Sequence, residues 1–487
     1  MNIADTLRNH AHRRPRHPAM IARGREVSYA EFDRGVDRGA ALLQAQGMRQ
    51  GSVVGIALKD TPEYLAYLMA IARMGAIILP LDRRWTATEK QRVAQHFGAA
   101  LVLQEHGDEE PDGITCYSLD EDLFAPTPFE RPKIVVAAKE DLPLAFSLSS
   151  GTTGRPKGPL ISHRNLYSRF LIYYVTLTLC EHDRFACASP LYFGGSRGFS
   201  LCVLYAGGTV VLLPPPVTAA ELIREVNAYR CTSAFIVPTV LRRLSDAHLG
   251  EGCCFPDLRV LISTGAALFE EDRQLALRRV APNIINFYGS TEGGGIAALT
   301  TAHPLSKAGS TGMIVFGTDV RIVDENFNDK PAGEIGRIAY RSAGTAQSFH
   351  NDPEATKQSF RDGWYLPGDL GYRDDDGFLF ITGREKDLII RGGVNIYPYE
   401  IENLLLMHPA ITQAAVVDMP SVEFGEEIAA FVTADEPVPA EDLRAFCARH
   451  LAAYKVPRLF SYIDDLPRTS MGKIDKQALK RRLEAGA

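Results

Sequence analysis

Residues 149–158 read SSGTTGRPKG and follow the apolar run 144–148. A strand-like run that breaks into three glycines, four hydroxyl side chains and Lys157 suits the grip of a polyphosphate. Glycine lets backbone N–H groups come close to an anion, and hydroxyls and an ammonium add further donors. A Walker A loop is excluded, because it requires GxxxxGK followed by Ser or Thr. Here Pro156 precedes Lys157 and Gly158 follows it. The plain alternative is a Gly/Ser surface turn of the kind that joins elements in many proteins.

Strands alternate with helices on both sides of this loop. Upstream, Tyr29, Phe32, Val36, Ala40 and Leu43 fall at helical spacing, with Gly47 as the stop. Residues 52–58 read as a strand, Asp60 as the cap of a helix over 62–74 with Pro62 in its first turn, and 77–81 as a strand. A helix over 86–97 and a strand over 101–104 follow. Downstream, strands are expected at 209–213, 233–237, 260–263 and 284–287. This alternation implies parallel βαβ units. The segment 107–139, rich in acid, Pro and turn residues, reads as a linking excursion.

The pattern changes from about Gly309, where short strands at 320–324, 336–341 and 377–382 suit a β-rich subdomain. Beyond 383–387 the pattern is α+β: strand 387–391, helix 397–407, strands 410–418 and 427–433, helix 440–451. The charged run Arg384-Glu385-Lys386-Asp387 reads as an exposed joint. The expected architecture is α/β. A large N-terminal domain over 1–385 holds βαβ subdomains plus the β-rich subdomain, and a small, mobile α+β domain fills 386–487.

A chain of 487 residues buries a large core without disulfides or metal staples. Its net charge of −6 gives no basic character that would suggest nucleic acid as a partner. The eight cysteines form no CxxC pair and no zinc-spaced cluster, so they read as small buried residues in a reducing compartment. The N-terminus shows no apolar signal region. The longest apolar stretch, 64–81, carries Arg73, Gly75 and Pro80, which favours a buried helix and strand over a membrane span. The expectation is a cytoplasmic protein with no membrane or nucleic-acid partner, either monomer or homodimer.

Four further strings follow in order: YGSTE at 288–292, YLPGDL at 365–370, GREKD at 383–387 with its sequel GGVNIYPYEIE at 392–402, and PRTSMGKI at 467–474. With SSGTTGRPKG they resemble the acyl-adenylate-forming superfamily: acyl-CoA synthetases, peptide-synthetase adenylation domains and beetle luciferases. The likeness spans essentially the whole chain and is greatest for an acyl- or aryl-CoA synthetase. It implies two reactions. A carboxylate first joins the α-phosphorus of ATP and expels pyrophosphate; a thiol then attacks the acyl-adenylate and releases AMP. ATP, Mg²⁺ and coenzyme A are the implied cofactors and co-substrates.

The resemblance also assigns roles. Ser149, Ser150, Gly151, Thr152, Thr153, Gly154 and Lys157 would form the phosphate grip, with Thr152, Thr153 and Lys157 on the β- and γ-phosphates. Thr291 would donate to the α-phosphate, and Glu292 with Thr152 would hold Mg²⁺, a hard cation that prefers oxygen. Tyr288 would lie on the adenine and Asn286 on its edge, with Gly265, Ala266, Phe287 and Gly289 completing that site. Asp369 would take the ribose hydroxyls and Arg384 the ribose or phosphate region. Lys473 would neutralise the reacting carboxylate and phosphate, joining Glu292 and Thr291 as the catalytic set. Lys386 marks the implied hinge, and Gly392 and Gly393 would leave room for the pantetheine arm. Taken singly, each residue also has a plain reading: a solvated acid or lysine, a core tyrosine, a turn-forming aspartate.

The stretch 190–199, PLYFGGSRGF, resembles the family's substrate side. Phe193, Gly194, Gly195 and Gly294 are the expected acyl lining, with Gly295 and Phe287 beside them. Many acyl- and aryl-CoA synthetases have His at Phe193. Gly194 stands where amino-acid-activating relatives place an Asp, which argues against an α-amino acid because its ammonium would lack a buried partner. Arg197 is expected to face water, with a second substrate carboxylate as the alternative. Pro367 replaces the more usual threonine before Gly368-Asp369. The expected function is ATP-dependent activation of an aryl or medium-size acyl acid and transfer to coenzyme A. The alternatives are a freestanding enzyme that loads a carrier protein's phosphopantetheine in trans, a degenerate nucleotide-binding relative, and a luciferase-like oxygenase that the fold also admits.

Overall fold

The computed structural model describes residues 2–119, 122–134, 136, 141–148, 157–215, 217–248, 250–434, 436, 438–468 and 474–485. The chain divides into two compact units. One is Met1–Ser306 with Gly312–Asp319 and Tyr340–Tyr365; the other is Lys307–Thr311 with Val320–Ala339 and Leu366–Ala487.

The first unit holds two sheets. In the larger, Pro18–Ala22, Thr209–Leu212, Arg184–Cys187, Ser233–Phe235, Val260–Ser263 and Ile284–Ser290 lie side by side, all parallel. Arg25–Ser28 closes one edge antiparallel, and Gly294–Leu299 and Met313–Ile314 extend the other. The four residues of Val260–Ser263 are all buried, as a strand covered on both faces requires, and this is why its first three residues form an unbroken apolar run. The second sheet runs Cys116–Leu119, Ala99–Glu105, Val53–Ala57, Ile77–Pro80, Pro143–Phe146, Leu160–Ser162, parallel except for the last pair. Cys116–Leu119 falls inside the segment expected to be only a linking excursion. It is a half-buried edge strand, so no clean alternation marks it.

The covering helices start on their sequence signals. Tyr29–Ala45 opens with a capping box from Ser28 and Glu31, and His163–Thr176 with one from Ser162 and Asn165. Pro62–Arg73 differs from expectation. Thr61 takes the cap position, while Asp60 accepts the Leu191 N–H at 2.7 Å. Arg73 is buried on that helix and pairs with Asp33 and Asp37, each at 2.6 Å, which explains a cation inside the apolar stretch 64–81.

In the second unit, Asp369–Arg373 pairs antiparallel with Leu379–Arg384. A further sheet runs Val394–Ile396, Ile389–Arg391, Gly425–Ala434, Ile411–Ser421, with Leu459–Tyr462 parallel to Gly425–Ala434. The helices Pro398–Leu406 and Ala440–His450 bury Ile401, Leu405, Leu443 and Cys447 in the same core as Val416 and Val432. The fold is the expected α/β class with a smaller α+β part. Among the described residues, no helix is long and apolar enough to cross a membrane.

Because the central strands of the larger sheet are parallel, their carboxyl ends share one edge. That edge gathers the segments 188–193, 236–237, 264–266 and 288–292, the usual position of a ligand crevice in such sheets.

Candidate active site

The hairpin between Ile284–Ser290 and Gly294–Leu299 turns through Thr291, Glu292 and Gly293. Two features shape it. The Gly293 N–H donates to Ser290 Oγ at 3.0 Å, and Ser290 Oγ also meets the Tyr340 hydroxyl. A Cβ at Gly293 would fall 2.0 Å from the Tyr340 oxygen, so only glycine fits.

The main chain of the turn is held from outside. Arg169, on the helix His163–Thr176, donates from Nη1 to the Thr291 carbonyl at 3.2 Å and from Nη2 to the Glu292 carbonyl at 2.8 Å. Its Nε donates to the Gly344 carbonyl at 3.0 Å. Ser147 Oγ adds a bond to the Thr291 carbonyl at 3.3 Å, and the Ala346 N–H one to the Glu292 carbonyl at 2.9 Å. Burial pulls the Arg169 pKa down from its usual range, while Tyr173, Tyr340 and Glu292 act in the opposite sense.

The Glu292 carboxylate has the opposite situation. The residue is 7% exposed, and among the described residues its side chain has no hydrogen bond and no ion pair. Arg169 is a cation within its electrostatic reach but does not bond the carboxylate, which leaves the oxygens available to a further cation. Such a carboxylate fits Mg²⁺, which takes one or two carboxylates and fills its shell with phosphate and water. Among the described residues no cluster of three or more His, Cys, Asp or Glu exists that would hold a metal by protein ligands alone. Lys157 lies with Nζ 5.8 Å from the Phe349 ring centroid and has no carboxylate partner among the described residues, which suits a phosphate-binding cation.

Along Ile284–Ser290, Asn286 and Tyr288 share one face by pleat alternation. Phe287 points the other way, into the core, edge-on to Tyr173 at 5.9 Å and Phe199 at 6.3 Å. Its side chain therefore stands apart from the face expected to meet adenine. Gly289 allows the hairpin to close, since a Cβ there would lie 2.6 Å from the Gly294 carbonyl oxygen. Gly265 and Ala266 are exposed just beyond Val260–Ser263, and Gly265 has φ +96.

The four glycines of the expected acyl lining split into two kinds. A Cβ at Gly194 would meet only Ser147 Oγ at 3.8 Å, and one at Gly195 would touch the Phe235 ring at 3.5 Å, both ordinary spacings. At Gly294 it would crowd Arg169 at 2.9 Å, and at Gly295 it would strike Phe287 at 2.4 Å. Gly194 has almost open space beside it, Gly195 lies in ordinary contact with the Phe235 and Phe199 rings, and the second pair exists for close packing. Phe193 stands at the cap position of the helix Gly194–Ala206, its ring 4.1 Å from that of Tyr192. Arg197 is buried and donates to the carbonyls of Leu191 at 3.1 Å and Tyr192 at 2.8 Å, which corrects the expectation that it faces water.

In the second unit, Asp369 is buried and its Oδ1 lies 2.9 Å from Arg384 Nε, the two residues being direct partners across a ladder. Lys386 is exposed in the short helical turn Glu385–Asp387. Gly392 and Gly393, with φ +58 and +80, form the two-residue turn between Ile389–Arg391 and Val394–Ile396, a turn type that needs positive φ at both positions. Ser149, Ser150, Gly151, Thr152, Thr153, Gly154 and Lys473 lie outside the described residues.

Sequence reading missed Arg169, Ser147, Tyr340 and Gly344. For Arg169 a signal existed: Leu166, Arg169, Phe170 and Tyr173 share one helical face, and that face is buried.

A parallel sheet whose carboxyl edge carries a firmly held turn with Thr291 and Glu292 suits the binding of nucleotide phosphates with a divalent cation. The chain belongs to the AMP-binding enzyme family: the family model for "AMP-binding enzyme" matches residues 7–350, and that for "AMP-binding enzyme C-terminal domain" matches residues 400–473. It is 31% identical to the 2-succinylbenzoate–CoA ligase of Bacillus licheniformis over 98% of this chain and 100% of the relative. It is 32% identical to the feruloyl-CoA synthase of an Amycolatopsis species over 94% of each chain. The structure of o-succinylbenzoate coenzyme A synthetase from Bacillus subtilis in complex with ATP and magnesium ion superposes with a TM-score of 0.87 at 27% identity, over 98% of this chain and 99% of that one. The protein is an AMP-forming acid–CoA ligase that uses ATP and Mg²⁺ to activate a small carboxylic acid and passes the acyl group to coenzyme A.

Proposed function

We propose that the acid is an aryl or medium-size acyl acid, and that the turn Thr291–Glu292 is where its adenylate forms. The observation that carries the site reading is Glu292, a buried residue on the carboxyl-edge turn whose carboxylate makes no hydrogen bond or ion pair among the described residues. The acid class is supported by the space beside Gly194, by the aromatic rings next to Gly195, and by relatives named for 2-succinylbenzoate and ferulate.

In this reading the acid's carboxylate oxygen attacks the α-phosphorus of ATP, and the bond to the pyrophosphate oxygen breaks. Mg²⁺, when bound at Glu292 and Thr152, offsets the charge of the phosphates. Thr291 donates its hydroxyl to the α-phosphate, while Ser149, Ser150, Gly151, Thr152, Thr153, Gly154 and Lys157 hold the departing pyrophosphate. Asn286 and Tyr288 seat the adenine with Gly265, Ala266 and Gly289, and Asp369 with Arg384 takes the ribose. Lys473 neutralises the reacting carboxylate. Positioning and electrostatics carry most of such a phosphoryl-centre reaction. A rotation at Lys386 then exchanges Lys473 for the Gly392–Gly393 turn, the coenzyme A sulfur attacks the acyl carbonyl, and AMP leaves. We place this enzyme in the cytoplasm, where its free cysteines stay reduced, acting as a monomer or homodimer.

The test of the site reading is acid-dependent exchange of pyrophosphate into ATP by Glu292→Gln. The expected result is a loss of about 100-fold or more, with a raised Mg²⁺ requirement. Exchange at the normal rate with the normal Mg²⁺ requirement would remove Glu292 from the mechanism.

A further inference from the structure

We propose that Arg169 is a positioning residue for adenylation, setting the main-chain geometry from which Thr291 and Glu292 act. The inference rests on the reading of those two residues given above. Arg169 is buried, and among the described residues no carboxylate lies within ion-pair distance of it. Its three hydrogen bonds all go to main-chain carbonyls, two on the turn and one, Gly344, on a separate segment. A cation held this way in an apolar helix face is an expensive means of packing, since a leucine would fill the same space without desolvating a charge. What a guanidinium adds is a rigid planar fork whose donors fix carbonyls relative to one another.

The surroundings are cut to admit this fork. A Cβ on either Gly294 or Gly344 would lie 2.9 Å from Arg169 Cγ, so both glycines clear the slot through which the side chain passes. The Thr291 and Glu292 carbonyls that it grips each accept a second bond, from Ser147 and Ala346, so the main chain on both sides of the Glu292 side chain, and just after the Thr291 side chain, is fixed. The Arg169 hydrogen bonds reach main-chain carbonyls only, not the side chains assigned to substrate. Arg169 acts through the turn, and its effect belongs to the step that depends on Thr291 and Glu292.

The experiment compares Arg169→Lys, Gly344→Ala and Glu292→Gln in the full-length enzyme. It follows pyrophosphate exchange against ATP, Mg²⁺ and acid concentration, with melting temperature recorded in parallel. Lysine keeps the charge but cannot span three carbonyls. A displacement of about 1 Å at such a turn is worth on the order of 100-fold in rate. Arg169→Lys is therefore expected to lower kcat for exchange by about 10- to 100-fold and raise the Mg²⁺ concentration for half-activity several-fold, with the KM for acid within about twofold. Gly344→Ala pushes the Arg169 stem and should move the same parameters in the same direction, by less. If Arg169→Lys does not fold, Gly344→Ala decides alone. Folded variants with an unchanged Mg²⁺ requirement, or losses spread equally over ATP, Mg²⁺ and acid, overturn the proposal. Should Glu292→Gln shift the Mg²⁺ requirement while the other two do not, the clamp falls and the reading of Glu292 stands. Should Glu292→Gln also leave it unchanged, the site reading itself falls.

Discussion

Gly194→Val separates a pocket-lining glycine from a packing glycine. A Cβ at Gly194 meets nothing nearer than Ser147 Oγ at 3.8 Å, and the residue has ordinary helical φ at the first position of the helix Gly194–Ala206. The fold therefore accepts a valine there, and the melting temperature should stay within about 2 °C. The added carbons occupy space that the proposed acid would use. Displacing about three carbons of a bulky acid from apolar contact, at about 0.8 kcal/mol per carbon, costs about 2.4 kcal/mol. That is about a 60-fold loss in kcat/KM for an aryl acid. Acids of two or three carbons do not reach the filled volume and should be used about as well as before. The assay is pyrophosphate release with coenzyme A over a series of acids of increasing size. An equal loss for every acid, or no loss for the largest, would refute the placement of Gly194 in the acyl pocket.

Arg73→Met removes the cation between two buried carboxylates; Asp37 keeps Arg8 at 3.1 Å, so the cost should fall near the low end for a broken buried pair, about 3 kcal/mol, read by thermal unfolding. His163 is buried and its pKa is pushed down to about 4, so the folded state resists its protonation. The unfolded chain then binds the extra proton between about pH 4 and 6.5, and stability is full above 6.5 and falls as pH drops through that window. At pH 5 the loss is about 2 kcal/mol, and His163→Gln should flatten the slope in a pH series of melting curves. Lys473→Ala is expected to abolish adenylation while sparing thiol attack on pre-made acyl-adenylate, and comparable losses in both half-reactions would reject that role. Lys386→Pro should slow the second half-reaction more than the first, measured by single-turnover kinetics, and equal effects would argue against a hinge.

What the sequence made legible was whatever is local. The run Val260–Ser263 is buried throughout and apolar up to Ser263 because both its faces are covered, and its limits are those read from the sequence. The strand expected at 284–287 is present as Ile284–Ser290, so the string 288–292 begins within the strand and ends in the turn at the carboxyl edge of the sheet. What escaped depends on residues distant in sequence. Arg169 meets Glu292 and Gly344 across separations of 123 and 175 residues, and no local pattern encodes that. Asp60 sits where a helix cap is expected but is claimed by Leu191, a tertiary partner that outcompetes the local one. The glycines at 194 and 294 look alike in sequence. Only the neighbours of an added Cβ tell the open one from the closed one.

The measurement that bears most directly on the central claim is product analysis by mass spectrometry. Purified enzyme would be incubated with ATP, Mg²⁺ and a panel of aryl, short, medium and long-chain acids, with and without coenzyme A. Aryl or medium-size acids should give acyl-adenylate and pyrophosphate without coenzyme A, and equal amounts of acyl-CoA and AMP with it. Acyl-adenylate that coenzyme A leaves unconsumed, or turnover confined to acetate-sized acids, would contradict the account.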